Sequence, residues 1–576
     1  MKLYEDMTKE EFDVLKALDT RKFEYAGMEL LGKAGVEPKD MSDSVISLAA
    51  LSYFIKKYDI GSEGELHVFL DENIEDMEVN RPLQEFVAAH WKEIQEFSYV
   101  PLQKELKALV LFSNSSDRGV RKDTEYDTPD SVAELAMAIL DIRGGDNVLD
   151  MCSGRGNFLV KSSIENHEDC AYHGIEINPS AVIISKIKSL LLGNKFTVEK
   201  QDILQMDSLE NKYDKVFSEP PYGAMFEGKV SSAYTDELSK YIPKGLTKKA
   251  DFLYMILPML HQKCGGKTVV LATHGTLFRM GREAAIRENL IKSGKVEAII
   301  TLPQMLLSYT SIPLVAWVFS DNNSSVRVVD ASELGQEVGR KSIALSADDI
   351  KRIMEALKQD SDISKSVSME ELAKNEYVLM PKRYLNTIKI ENGVKLIDLM
   401  KKQGRGMNIA SPDLSEQDTG NGRYLMLQNI SDGTVNVNLP YLVDTPKQYS
   451  KYTVQEGDLL VSRTTPFKIA IMPKVEEDVI ASGNLYVITL DSEKVNPFYV
   501  MLYLNSKLGL QQLMMKCTTG ILANIAKADL ESVKIPMIPR SEQDELVEKY
   551  SKLLGELQEA EAKVNNLRNM IGSVLD

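Results

Sequence analysis

The sequence predicts a multidomain α/β protein with a helical N-terminal domain, a central α/β domain and a mixed C-terminal domain that ends in a long helix. Three patterns carry that expectation. Residues 1–118 place apolar residues at helical spacing (Ala49, Leu51, Phe54 and Ile55, then Phe86, Val87, His90 and Trp91) with few Gly or Pro, and read as the helical domain. Residues 119–330 change to short apolar runs alternating with helical segments, with strands expected at 147–151, 171–176, 196–199, 215–217, 268–272, 298–301 and 314–319. Strand–helix alternation implies a mostly parallel sheet with ligands at the carboxyl ends of its strands. Residues 331–390 read as a polar, largely helical connector, and 391–540 as a strand-rich domain whose turns are marked by Asn421-Gly422, Asp432-Gly433 and Glu456-Gly457-Asp458.

The segment 541–576 is patterned as a coiled-coil helix. Leu546, Tyr550, Leu553, Leu557, Ala560, Val564, Leu567, Ile571 and Val574 repeat at alternating steps of four and three. Such a seam at 546–574 pairs either with a second chain or with a helix of the same chain near 498–515.

Composition narrows the functional classes. At 576 residues the chain is too long for one core. It has no apolar run of about 18 residues that would span a membrane, and Met1-Lys2-Leu3-Tyr4-Glu5-Asp6 lacks the regions of a signal peptide. Four cysteines and six histidines without metal-ligand spacing predict neither a metal site nor a disulfide framework, and suit a reducing cytoplasm. His67, His90 and Trp91 read as packing residues. A net charge of −17 argues against a protein that coats nucleic acid, and leaves room for one restricted basic cleft. The basic groupings Lys244/Lys248/Lys249, Arg279/Arg282/Arg287 and Lys401/Lys402/Arg405 read as solvated faces before they read as DNA contacts.

Two constellations carry chemistry. In the first, Asp150 closes a strand and Gly154 and Gly156 let the backbone turn and approach a ligand, with Phe158 where a dinucleotide-binding loop would have its third element. Glu176 closes the next strand, where a carboxylate accepts ribose hydroxyls, and Asp202 follows the third, placed to accept from an adenine amino group. Three acids at three successive strand ends predict a nucleoside pocket, against the alternative that they cap the following helices. Upstream, Tyr126-Asp127-Thr128-Pro129 precedes a helix start near Asp130 and could lay backbone against the far end of the same ligand.

In the second, Glu219-Pro220-Pro221-Tyr222 follows a strand and forms a stiff, flat-walled slot for a planar amine. An exocyclic amine delocalises its lone pair into the ring. Its methylation therefore needs acceptors for both N–H groups and in-line placement of the nitrogen. The Glu219 side chain and the Pro220 carbonyl are the candidate acceptors. Tyr222 either stacks on a base that has left the duplex or is ordinary core.

Around these motifs stand Ala250-Asp251-Phe252-Leu253, Gly265-Gly266-Lys267, Gly275-Thr276-Leu277-Phe278-Arg279-Met280-Gly281, Ile286-Arg287, Ile299-Ile300-Thr301-Leu302-Pro303, Ile312-Pro313 and Met380-Pro381-Lys382-Arg383-Tyr384. In that order they resemble the DNA N6-adenine methyltransferases, specifically the modification subunit of type I restriction-modification systems. The resemblance implies a Rossmann-like domain that uses S-adenosyl-L-methionine, held by Thr128, Asp150, Gly154, Gly156, Glu176 and Asp202. It also implies target-base contacts from Glu219, Pro220, Pro221 and Tyr222. From about 391 the chain resembles half of a type I specificity subunit, one target-recognition domain with its long helix. The residues that carry this are Gly457-Asp458-Leu459-Leu460-Val461-Ser462-Arg463, Thr519-Gly520-Ile521, Ile535-Pro536-Met537-Ile538-Pro539 and Gln543.

The resemblance implies double-stranded DNA as substrate, and a half-specificity module with a seam at 546–574 leaves two arrangements, a homodimer that reads a two-part symmetric site or a monomer that reads one short asymmetric site. Neither a convincing nuclease motif nor a helicase phosphate loop occurs, so any restriction subunit would be a separate chain. The chain departs from the family at 219, where Asn, Asp or Ser is expected and Glu adds length and, against Asn, charge. Two other readings follow, a DNA-binding module with a silenced methyltransferase core and a protein glutamine methyltransferase, the latter disfavoured by the 391–576 module.

Overall fold

The computed structural model describes residues 7–112, 127–165, 169–209, 212–226, 228–243, 248–307, 312–339, 342–385, 390–409, 420, 422–442, 451–517 and 524–572. Two compact units make up the chain, Met1–Leu385 and Asn386–Asp576.

The first unit opens with six helices: α1 (Lys9–Lys16), α2 (Arg21–Lys33), α3 (Met41–Tyr58), α4 (Glu63–Asn73), α5 (Met77–Ser98) and α6 (Gln103–Phe112). Local sequence sets their ends. Thr8 and Glu11 form a reciprocal capping box on α1, and the Ser62 hydroxyl accepts the Glu65 N–H at the start of α4. The expected boundary at 118 lies outside the described residues.

The strands that follow are β1 (Asn147–Met151), β2 (Ala171–Glu176), β3 (Thr197–Lys200), β4 (Tyr213–Ser218), β5 (Gln262–Thr273), β6 (Val296–Thr301), β7 (Leu314–Phe319), β8 (Ser325–Asp330), β9 (Gln336–Gly339), β10 (Ser342–Ala344) and β11 (Ser364–Ser368). Nine of them form one sheet in the order β11-β8-β6-β7-β5-β4-β1-β2-β3, while β9 and β10 pair apart. The run β3-β2-β1-β4-β5 is parallel, β7 is antiparallel to both its neighbours, and β11 is antiparallel to β8. Strand order reverses at β1, the position where open α/β sheets leave a crevice for ligands.

The helices of this part include α7 (Asp130–Leu140), α8 (Asn157–Glu165), α9 (Pro179–Leu191), α10 (Thr235–Tyr241), α11 (Asp251–Leu260), α12 (Arg282–Lys292) and α13 (Ala347–Lys358). Residues of α7, α8 and α13 share one hydrophobic cluster on the sheet, and residues of α10, α11 and α12 share the cluster on the opposite face. Between the sheet and the N-terminal helices lies α9, whose Ile184, Ile187 and Leu191 complete the core of the helical bundle. The bundle and the sheet are therefore parts of one unit.

Two departures from the sequence reading have physical causes. Segment 331–390, read as a polar, largely helical connector, also supplies β11, which extends the main sheet and pairs Val367 with Val326 of β8. Its sequence, Ser364-Lys365-Ser366-Val367-Ser368, holds one apolar residue, too little alternation to mark a strand. Likewise β5 begins at Gln262, well before the expected 268, and its first six residues, Gln262-Lys263-Cys264-Gly265-Gly266-Lys267, carry no apolar run to mark it.

In the second unit, Met400–Arg405, Leu485–Leu490, Leu459–Ser462 and Ile469–Ile471 form a four-stranded antiparallel sheet. A three-stranded sheet is formed by Arg423–Leu425, Val479–Ala481 and Thr453–Val454. Asp432 and Gly433 both adopt positive φ and turn a short hairpin between Ile430–Ser431 and Thr434–Val435. Asn421 and the segment Thr519-Gly520-Ile521 lie outside the described residues.

The C-terminal helix spans Arg540–Gly572. Its first turns pack on the second unit through Val547 and Tyr550. Gln543 is buried there, accepting the Asn496 N–H at 2.9 Å and donating to the Ile538 carbonyl at 2.8 Å. The same-chain pairing near 498–515 thus holds for the start of the helix. Farther along, Leu553, Leu557 and Leu567 are 55%, 51% and 51% exposed. The side chains of Ile571 and Val574 are outside the described set.

Among the described residues no helix is long and apolar enough to cross a membrane, and no cluster of three or more His, Cys, Asp or Glu is placed to hold a metal ion. The four cysteines are unpaired.

Candidate active site

Parallel pairing brings the carboxyl ends of β1, β2 and β4 side by side, with Asp150 opposite Gly174 and Phe217. Beyond those ends lies a cavity of about 450 Å³. Gly154, Glu176 and Asp202 line it, and so does every residue of Glu219-Pro220-Pro221-Tyr222. The two constellations therefore open into one space.

Glu176 joins the strands at the cavity rim. Its Oε2 accepts the Gly154 N–H at 2.8 Å, and its Oε1 accepts the N–H groups of Ile177 and Asn178, each at 2.8 Å. A carboxylate oxygen takes two hydrogen bonds, so Oε1 is filled and Oε2 retains one acceptor position. Asn178 caps α9 by accepting from Ser180 and Ala181, with Pro179 as the first helical residue. Asp202 also acts as a cap, its Oδ1 accepting the Leu204 N–H at 2.9 Å. Asp202 thus both caps a helical turn and lines the cavity.

The two glycines differ. Gly154 has φ +51° and open space where a Cβ would stand, so the backbone faces the cavity bare. Gly156 has φ +77°, and a Cβ there would collide with Ser185 of α9. Its role is close packing of loop on helix; it does not line the cavity. Asp150 and Thr128 are not in the wall either. Asp150 is buried, its Oδ1 has no hydrogen-bond partner among the described residues, and burial, together with the Glu219 and Glu176 carboxylates, pushes its carboxyl well above the usual range. The Thr128 carbonyl accepts from Asn157 Nδ2 at 3.3 Å. Its neighbour Asp127 does line the cavity and pairs with Arg155 at 3.6 Å. The same guanidinium bonds Asp43 of α3, so the helical bundle grips the glycine loop.

In the slot, Tyr222 Oη donates to Glu219 Oε1 at 3.0 Å. Glu219 Oε2 is shielded from solvent and has no hydrogen-bond partner among the described residues. Burial pushes this carboxyl up to about 7, Asp127 adds to the rise, and the hydroxyls of Thr128 and Tyr222 oppose it. The Tyr222 ring packs against the sheet core and also lines the cavity.

Sequence reasoning did not single out Ile177, Gln201 and Tyr254, which also line the wall, and named Ile312 only within a motif and not as a site residue. Ile177 is 61% exposed directly after a buried strand, and an apolar residue beside a strand-end acid was the available signal. The basic grouping at 279–287 is largely internal. Arg287 is fully buried and donates to the carbonyls of Tyr377, Thr276 and Arg279, while Arg279 pairs with Asp251 and Glu283. Lys248 and Lys249 are exposed, Lys401 pairs with Asp491, and Lys244 lies outside the described residues.

Residues 110–393 match the N-6 DNA methylase family, and residues 393–567 match the type I restriction modification DNA specificity domain. An N-6 DNA methylase match is thus followed along the chain by a match to a type I DNA specificity domain. Similar curated proteins include the type I restriction enzyme MjaIX methylase subunit of Methanocaldococcus jannaschii, 24% identical over 336 residues, which cover 52% of this chain and 60% of that protein. The type I restriction enzyme HindI methylase subunit of Haemophilus influenzae is 27% identical over 306 residues, 49% of this chain and 68% of that one. This chain therefore spans roughly three fifths of the length of such relatives. Among solved structures, the type I restriction-modification methyltransferase subunit from Streptococcus thermophilus aligns with a TM-score of 0.49 at 19% identity, over 64% of this chain and 99% of that one. The cavity lies wholly within the methylase region, and the C-terminal helix within the specificity domain up to residue 567.

Proposed function

We propose that the chain is a sequence-specific DNA methyltransferase that moves a methyl group from S-adenosyl-L-methionine to the N6 amine of a flipped-out adenine, guided by its own specificity domain. One observation carries this reading: the Glu176 rim and the Glu219-Pro220-Pro221-Tyr222 slot share a single cavity. The residues present fit the donor. Glu176 Oε2 has one free acceptor position for a ribose hydroxyl, the second Asp202 oxygen suits an adenine amino group, and the bare backbone at Gly154 admits close approach. A volume of about 450 Å³ falls in the range of small-molecule sites. When bound, this donor supplies an activated methyl group on a sulfonium.

The chain's residues then have separable tasks. Pro220 and Pro221 hold the slot rigid, Tyr222 offers a face for the base, and Glu219 offers carboxyl oxygens to the amine N–H groups. Double-stranded DNA is the substrate, since a base must leave a stack to enter such a slot. The exposed apolar stripe from Leu553 to Leu567 supports pairing of two chains, so that two specificity domains read a symmetric site. Cleavage, where it occurs, belongs to a separate restriction subunit.

Methyl transfer from S-adenosyl-L-methionine to unmethylated bacterial DNA, with modified bases mapped by single-molecule sequencing, tests the reading. Methyladenine at one recurring sequence is expected. A second reading, a DNA-binding protein with a silenced core, is favoured by the buried, unpartnered Glu219 Oε2. It requires no transfer by the natural chain and transfer by Glu219→Asn.

A further inference from the structure

We infer that Glu219 is the proton acceptor of the transfer step, a role that an amide at this position could not take. The inference rests on the methyltransferase reading of the same cavity. Its basis is geometric. Glu219 lines the cavity beside the stiff Pro220-Pro221 pair. Its Oε1 is held by the Tyr222 hydroxyl at 3.0 Å, which fixes the carboxyl, and Oε2 has no partner among the described residues. An unpartnered buried carboxyl oxygen is costly to leave unsatisfied, and an amine N–H entering the slot is a donor of the right kind.

The step balances. The amine nitrogen forms a bond to the methyl carbon as the carbon–sulfur bond of the sulfonium breaks. The bonding pair leaves on sulfur as a neutral thioether, and one N–H proton passes to Glu219 Oε2. Glu219 must enter ionised and leave protonated, then release the proton as product departs.

Asp127 and Thr128 approach Glu219 from the segment before α7, Asp150 from β1, and Tyr222 from the same loop. Burial and Asp127 disfavour the ionised form, whereas the two hydroxyls favour it. The nearby cation Arg155 is shared between Asp127 and Asp43. With the carboxyl lifted to about 7, a substantial fraction is ionised at neutral pH and the acceptor is strong enough to keep the proton briefly.

The test is single-turnover transfer to cognate DNA from pH 5.5 to 9 for the full chain, Glu219→Gln and Glu219→Asn. Donor and DNA binding are measured alongside, and the carboxyl stretch near 219 is followed by infrared difference spectroscopy against Glu219→Gln. The natural chain should gain rate about tenfold per pH unit below 7 and level off above, and the infrared signal should titrate over the same range. Glu219→Gln should lose the limb and at least tenfold in rate at pH 8 with binding intact. Equal rates and the same limb in Glu219→Gln would overturn the inference and leave the methyltransferase reading standing. A silent natural chain with an active Glu219→Asn would also overturn it, in favour of the silenced core. Silence in all three with binding intact would sink both readings.

Discussion

The Gly154 N–H donates to Glu176 Oε2 at 2.8 Å, which makes the loop leaving β1 and the acid closing β2 one structural piece. The carboxylate that should hold a ribose also sets the shape of the glycine loop. On the proposed reading, binding and local folding are coupled at this residue.

Glu176→Ala should show both effects. Three backbone N–H groups lose their acceptor, at a cost of about 2 kcal/mol or more to the first unit. Both tryptophans, Trp91 and Trp317, lie in that unit, so urea unfolding followed by tryptophan fluorescence reads it selectively. Calorimetric titration with S-adenosyl-L-methionine should show at least about tenfold weaker binding, the loss of one good hydrogen bond to a charged group. Unchanged affinity would remove Glu176 from the donor site.

The two glycines should separate by assay. Gly156→Ala drives a Cβ into Ser185 at φ +77° and should destabilise the first unit by about 2 kcal/mol or more. Gly154→Ala meets no atom and carries only the strain of φ +51°, about 1 kcal/mol, yet its methyl group points into open space at the cavity. It should weaken donor binding more than it lowers the urea midpoint. The reverse pattern would mean that the cavity is not where the donor binds.

Glu219 links stability to pH. Its carboxyl is raised from the ordinary 4.5 to about 7, so the folded chain keeps a proton that the unfolded chain releases as pH rises above 4.5. The stability from this group is present below 4.5, is lost as pH rises through about 7, and changes no further above. At about 1.4 kcal/mol per pKa unit the loss totals about 3 kcal/mol. Glu219→Gln cannot suffer it. The stability of the variant relative to the natural chain should therefore increase between pH 5 and pH 8, measured by urea unfolding at each pH. A constant difference would show that the carboxyl is not perturbed.

The exposed stripe of the C-terminal helix predicts a clean separation of association from folding. Leu553→Asp with Leu557→Asp alters two half-exposed positions beyond the packed first turns, so the circular dichroism melt of the dilute chain should shift by only a few degrees. Sedimentation equilibrium should show loss of self-association by tenfold or more. A chain that is monomeric before the change would refute pairing through this seam.

The sheet and its acids were legible because buried parallel strands leave continuous apolar runs that end in conspicuous polar residues. Strands β1, β2 and β7 match their expected spans residue for residue. The edge strand β11 was not legible, since one face of an edge strand needs few apolar side chains and its sequence offers a single valine. The arginines at 279 and 287 illustrate the same limit. A cation looks solvated in sequence, and only the fold supplies the buried carbonyls that make Arg287 internal.

The sequence by itself determined the order of strands and helices, the glycine loop, the stiff proline pair and the heptad stripe, because these depend on neighbours within a few residues. Tertiary structure decided which residues share the cavity and what each carboxylate has left to offer. It divided Gly154 from Gly156, gave Asp127 rather than Thr128 to the wall, and lifted Glu219 by burying it near Asp127. Those outcomes depend on packing between segments distant in the chain, where desolvation and hydrogen-bond saturation act.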